Sequence, residues 1–118
     1  MSDVRRCMIV DDDLLIQKFY SVLVEWAGLE VCAVAREGQE AIDKAVEFKP
    51  EVILMDVRLA GKMDGVEAAT EIHDRLDTRM VFISGSNEPP TLARINEDHP
   101  YAILIKPVAP DVLKEALS

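Results

Sequence analysis

The chain has 118 residues, 49% of them apolar, which suits one globular domain and excludes a disordered tail. Acidic residues number 22 against 13 basic ones, for a net charge of −9. That balance argues against direct contact with nucleic acid, whose phosphates need a basic surface, and favours cations or a partner with a basic patch.

The opening Met1-Ser2-Asp3-Val4-Arg5-Arg6 leads into an apolar stretch that Asp11 to Asp13 cut short, so no signal peptide is expected. No apolar run approaches the roughly 18 residues of a membrane helix, and the cytoplasm is the expected location. Cys7-Met8-Ile9-Val10 reads as a first strand ending at Asp11-Asp12-Asp13. Leu14 to Ala27 then sets Leu15, Phe19, Leu23 or Val22, and Trp26 at helical spacing, with Asp13 as N-cap and Gly28 just past the end. Val31 to Ala35 is the second strand. The second helix, Gly38 to Phe48, carries Ala41, Ile42, Ala45 and Val46 on one face. Cys7 and Cys32 each fall in a predicted strand and read as small buried thiols of a reducing compartment.

Val52-Ile53-Leu54-Met55 is a continuous apolar run, the pattern of a strand covered on both faces, and it stops at Asp56. A loop through Gly61 follows. Met63-Asp64-Gly65 opens the third helix, with Asp64 and Glu67 as a capping box and Val66, Ala69, Ile72 and Leu76 as its buried stripe. Met80 to Ile83 is the fourth strand, ending at Ser84-Gly85-Ser86. Pro89-Pro90 starts a short helix anchored only by Leu92 and Ile95. Ala102 to Ile105 is the fifth strand, ending at Lys106-Pro107, and Val108 to Leu117 is the last helix. Five strand-then-helix units predict a parallel sheet with right-handed crossovers and helices on both faces.

In such a sheet the carboxyl ends of all strands share one edge, so Asp11, Asp12, Asp56, Ser84 and Lys106 are expected to converge there. Packed carboxylates repel one another, and a hard divalent cation such as Mg²⁺ relieves the cost. Asp56 beside a cation and a lysine is a competent nucleophile toward phosphorus, and Ser84 and Lys106 can neutralise the oxygens it gains. Gly85 is expected to keep the approach open. Taken singly, each feature also reads as an ordinary turn or helix cap. The weight comes from their joint occurrence at successive strand ends.

Val10-Asp11-Asp12, Leu54-Met55-Asp56 with Met63-Asp64-Gly65, Ile83-Ser84-Gly85 and Ile105-Lys106-Pro107, in this order, resemble a bacterial two-component response-regulator receiver domain of the chemotaxis-receiver kind. The resemblance runs nearly end to end and implies one receiver domain over 1–118. It implies a flavodoxin-like doubly wound (βα)5 sandwich with strand order 2-1-3-4-5. It makes Asp56 the phosphoacceptor, charged from a phosphohistidine on a sensor histidine kinase or phosphotransfer protein. Asp11, Asp12, Asp56 and the Arg58 backbone carbonyl become Mg²⁺ ligands. Ser84 and Lys106 stabilise the phosphoryl group, and the bond to Pro107 is expected to be cis. The helix 4, strand 5, helix 5 face becomes the output surface, toward a downstream target or a missing output domain, and the contact face of a monomer or weak dimer. No turnover beyond its own phosphorylation and slow dephosphorylation is implied.

The sequence departs from the family pattern in three places, one of them a short fourth helix that begins Asn87-Glu88-Pro89-Pro90 with few apolar anchors. The loop after Asp56 is one residue longer than usual and has Ala60 near the place of a proline. Ile103 stands where the family carries an aromatic switch residue, and Tyr101 lies two residues earlier, on the same strand face by period-two spacing. Arg58, two residues past Asp56, is expected to modulate dephosphorylation, and the fourth helix to be the least stable. The competing reading is a phosphatase of the haloacid-dehalogenase type, with Asp11-x-Asp13 as its opening motif. Leu14-Leu15 follows where that motif needs Gly or Thr, and Asp56 is left without a role. A receiver-like interaction module without phosphorylation is a further alternative. A flavin site is disfavoured, since no Gly- or Thr-rich phosphate loop follows the first strand.

Overall fold

In the computed structural model, which describes residues 5–118, strands and helices alternate from end to end. Residues 1–4, part of the segment read above for a signal peptide, lie outside the described residues. The strands are β1 (Arg6–Val10), β2 (Glu30–Ala35), β3 (Val52–Asp56), β4 (Arg79–Ser84) and β5 (Ala102–Ile105). The helices are α1 (Leu14–Trp26), α2 (Gly38–Phe48), α3 (Gly65–His73), α4 (Pro89–Glu97) and α5 (Pro110–Leu117). All strand pairs are parallel, in the order β2-β1-β3-β4-β5. The expected flavodoxin-like topology is therefore the one the chain adopts.

The continuous apolar runs have a period-two explanation. Met8, Val10, Ile53, Met55, Met80 and Phe82 face α2, α3 and α4, where Ala41, Ile42, Ala45, Val66, Ala69, Ile72 and Ile95 complete one core. The alternate residues Cys7, Ile9, Val52, Leu54, Val81 and Ile83 face α1 and α5, against Tyr20, Leu23, Val24, Leu113 and Leu117. Every residue of β3, the middle strand, is buried. A strand covered on both faces can carry no polar side chain until it leaves the sheet. Both cysteines are free thiols, and burial pushes the Cys7 thiol up to about 12. No helix among the described residues is long and apolar enough to cross a membrane.

Helix α1 corrects the sequence reading. Leu15, Phe19, Val22 and Trp26 have helical spacing but point to solvent, Leu15 at 77% exposure. The buried face is Gln17, Tyr20, Leu23 and Val24, so Leu23 rather than Val22 belongs to the core. The helix carries two apolar stripes, and periodicity cannot choose between them. Polar contacts choose. Asp13 Oδ1 accepts from the Leu15 and Ile16 N–H groups at 2.9 and 3.3 Å, which fixes the first turn. The Gln17 amide donates to the carbonyls of Asp11 at 2.6 Å and Ala35 at 3.1 Å, which turns Gln17 inward. The Lys114 ammonium covers the Trp26 ring at 4.4 Å.

Smaller corrections follow the same logic. Val46 is exposed, because α2 packs through the small Ala41 and Ala45 with Ile42. Helix α3 ends at His73, so Leu76 lies in the following turn, where it still packs on the core. The fifth helix starts at Pro110 rather than Val108. Gly28 holds φ +92° past the end of α1, the left-handed cap its position predicts. The two faces of α1 can be told apart by mutation. Leu23→Ala is expected to cost about 2–4 kcal/mol in chemical denaturation. Leu15→Ala is expected to stay within about 0.5 kcal/mol of wild type.

Candidate functional site

Four of the five strands deliver polar groups to the carboxyl edge of the sheet. Asp11 follows β1, and its N–H donates to the Ala35 carbonyl at 3.0 Å, so the ladder holds it to the last residue of β2. Asp56 is the last residue of β3 and only 4% exposed. Ser84 ends β4. Lys106 follows β5, its N–H donating to the Ser84 carbonyl at 2.8 Å, and the Lys106–Pro107 peptide is cis as expected. Asp56, Ser84 and Lys106, with Arg58, wall one open cavity of about 520 Å³.

Electrostatics within this cluster are unbalanced. Carboxylate oxygens of Asp11, Asp12 and Asp56 lie within 4.8 Å of one another. Lys106 Nζ lies 3.3 Å from Asp56 Oδ1 and is the cation paired with the group. One oxygen of Asp11 accepts from the Asp13 N–H at 2.9 Å, while Oδ2 is buried without a partner. Burial, followed by the neighbouring Asp56 charge, pushes the Asp11 carboxyl from 3.8 to about 6 against the pull of the Asp13 N–H. Burial also raises Asp56, against the opposing pull of Lys106. Tyr20 lies under the same field and is pushed up to about 12 by burial and then by Asp11 and Asp56. An orphaned buried carboxylate oxygen within a set of hard oxygen donors is the donor chemistry of a divalent cation such as Mg²⁺, and these residues fit one.

Ser84 is present but turned away. Its Oγ donates to the Ser86 carbonyl at 2.8 Å and accepts the Ser86 N–H at 3.1 Å. The Arg58 N–H reaches Asp56 Oδ1 at 3.4 Å, and the Arg58 side chain is exposed at the cavity. The lengthened loop after Asp56 is accommodated by a parallel bridge between Ala60 and Glu37 and by Gly61 at φ +89°. Gly85 lines the cavity, and a Cβ there would meet no other atom of the protein within 4 Å. Gly65 is the glycine the site requires: a Cβ there would collide with the Asp56 carbonyl oxygen. Its N–H donates to the Val57 carbonyl at 2.7 Å, so α3 starts directly against the acceptor strand's end.

Ile103 is partly buried against Phe82, its register partner, within the core. Tyr101 precedes β5 rather than lying on it, half-exposed, with the Arg79 guanidinium 4.8 Å from its ring centroid. It stands at the amino end of β5, away from Lys106. No motif along the chain marks Arg94, which reaches this cavity from α4 and pairs with Asp64 Oδ2 at 2.9 Å. That contact spans 30 residues and belongs to no local pattern.

The family model of the response regulator receiver domain matches residues 7–118. The transcriptional regulatory protein PdtaR of Mycobacterium tuberculosis is 30% identical over 103 residues, which are 87% of this chain and 50% of PdtaR. The chain thus spans about half the length of that relative. The chemotaxis protein CheY of Thermotoga maritima is 28% identical over 116 residues, 97% of this chain and 95% of CheY. A solved structure, the signal receiver domain of a modulated diguanylate cyclase from Desulfovibrio desulfuricans G20, superposes with a TM-score of 0.90 at 31% identity. It covers 98% of this chain and 91% of that one.

The raised Asp11 carboxyl has a signed consequence for the metal-free protein. Below about pH 4 Asp11 is protonated in both folded and unfolded chains and leaves stability unchanged. Between about pH 4 and 6 the unfolded chain releases this proton first, so stability falls as pH rises, and it stays lower above that window. Asp11→Asn is therefore expected to be more stable than wild type by ~1–3 kcal/mol at neutral pH without divalent cation, with the difference closing at low pH. Urea denaturation at both ends of this range checks it.

Proposed function

The chain belongs to the response regulator receiver domain family, and on that footing we propose that Asp56 is the phosphoryl acceptor of a two-component relay. The observation that carries the reading is a nearly buried carboxylate at the end of the central strand, paired with one lysine and crowded by two further carboxylates. An Asp56 oxygen attacks the phosphorus of a phosphohistidine on a sensor kinase or phosphotransfer protein. The O–P bond forms, the P–N bond breaks, and the departing imidazole nitrogen takes a proton from solvent. The phosphoryl charge that arrives would be held by groups at the neighbouring strand ends.

Lys106 orients Asp56 beforehand and then turns its ammonium to the phosphoryl oxygens. Ser84 reaches them by giving up its bonds to the Ser86 backbone, a rotation about one side-chain torsion. Asp11, Asp12, Asp56 and the Arg58 carbonyl would hold a Mg²⁺ ion. When bound, the ion offsets carboxylate repulsion and draws charge from the phosphoryl oxygens. The Arg58 side chain, exposed at the cavity, governs access of the water that later removes the group. The domain spans 1–118, works in the cytoplasm and turns over no other substrate. It signals through the α4, β5 and α5 face to a downstream target or attached output domain. Asp13, the second acid of the opening motif in the phosphatase reading, is engaged as the cap of α1.

The deciding experiment is incubation with acetyl phosphate and Mg²⁺, read by intact-protein mass spectrometry. Wild type is expected to gain one phosphoryl mass and Asp56→Asn none. Lys106→Ala and prior chelation are each expected to slow the gain by about tenfold or more. An Asp56→Asn variant that labels like wild type would sink the assignment. Once labelled, Arg58→Ala is expected to change the phosphoryl half-life by at least about threefold, and an unchanged half-life removes Arg58 from the water path.

A further inference from the structure

Arg94 stands at a junction. Its guanidinium lies 2.9 Å from Asp64 Oδ2, and Asp64 caps α3 immediately before Gly65. Gly65 packs on the backbone of Asp56 and Val57, which ties the start of α3 to the end of the acceptor strand. It walls the same cavity of about 520 Å³ as Asp56 and Lys106. It also walls a second cleft of about 330 Å³ between α3 and α4, so α4 is not packed tightly on its neighbour there.

Helix α4 is held by little. Ile95 is its one buried residue, with Leu92 partly buried beside it. Its other ties to α3 are polar: Arg94 to Asp64, and Asp98 Oδ2 to His73 Nδ1 at 3.1 Å. The Arg94–Asp64 pair is half-exposed, and such pairs exchange partners at small cost. A phosphoryl group on Asp56 would bring up to about two negative charges and three acceptor oxygens into the cavity. A planar guanidinium matches those oxygens better than an ammonium does, because it can donate two parallel hydrogen bonds.

We propose that Arg94 is a phosphoryl-binding residue. When Asp56 is phosphorylated, its guanidinium leaves Asp64 and donates to the phosphoryl oxygens, drawing α4 toward the site. This rests on the reading of Asp56 as acceptor. It gives α4 a direct electrostatic link to the phosphoryl group, which the apolar Ile103 and the remote Tyr101 do not supply.

The test compares wild type, Arg94→Ala, Arg94→Lys and Asp64→Asn, before and after acetyl phosphate and Mg²⁺. Asparagine keeps the α3 cap while removing the charge that competes for Arg94. Intact mass reads the phosphoryl group, amide hydrogen exchange over 89–97 reads α4, and thermal unfolding verifies that each variant is folded. Wild type that gains no phosphoryl mass overturns the acceptor reading, and this proposal with it. With wild type labelled, exchange in α4 is expected to slow by about fivefold or more per phosphorylated molecule. Asp64→Asn is expected to keep that response or enlarge it, Arg94→Lys to keep part of it, and Arg94→Ala to lose it. If Arg94→Ala responds as wild type does, the proposal is overturned with the acceptor reading intact. If Asp64→Asn loses the response as fully as Arg94→Ala, Arg94 is only a resting tether, and the proposal is again overturned.

Discussion

Crowding of Asp11, Asp12 and Asp56 against a single lysine is the constraint on which the rest of the structure depends. Carboxylates brought this close, with two of them nearly buried, lose hydration and repel one another. The fold tolerates the arrangement because it has a large apolar core on each face of the sheet. The same repulsion underlies the proposed function. A site that is short of positive charge binds a divalent cation, and one built around a nearly buried nucleophile can take up a phosphoryl group.

The backbone around this cluster is positioned by short-range fits rather than by the cluster itself. Asp11 is locked by the ladder to Ala35, Lys106 by the ladder to Ser84, and Asp56 by the close approach of Gly65. Gln17 ties α1 to the same edge through two carbonyls. Those contacts keep the site fixed while leaving the Ser84 hydroxyl and the Arg94 guanidinium in bonds that can be exchanged. In the proposed reading, the rigid groups would receive the phosphoryl group and the exchangeable ones would respond to it.

The contrast between the two faces of the sheet follows from the same division. Helices α1 and α5 close one core around Tyr20, Leu23, Val24, Leu113 and Leu117. On the other face α2 and α3 pack closely through alanines, while α4 contributes one buried side chain and leaves a cleft beside α3. A helix anchored by one isoleucine and two polar ties opens locally at lower free energy than its neighbours. The helix that walls the Asp56 cavity through Thr91 and Arg94 is thus also the helix with the fewest buried side chains.

Much of this was legible along the chain. Alternation of apolar runs with amphipathic segments determined the five strands, their parallel sense and the sheet edge on which Asp11, Asp56, Ser84 and Lys106 meet. The caps at Asp13, Asp64 and Gly28 were readable because each acts over only a few residues. Three features were decided only in the folded protein: which apolar stripe of α1 faces inward, which glycine the site cannot do without, and where Arg94 finds its partner. Periodicity specifies spacing but not phase when a helix is apolar on two sides, and Gln17 broke that tie through carbonyls of two different segments. A steric requirement such as that of Gly65 arises from backbone nine residues away in sequence, brought close by a loop. The Arg94–Asp64 pair joins two helices across a strand. Local propensity and pattern act through neighbouring residues, whereas these three depend on contacts that exist only after the chain has closed on itself.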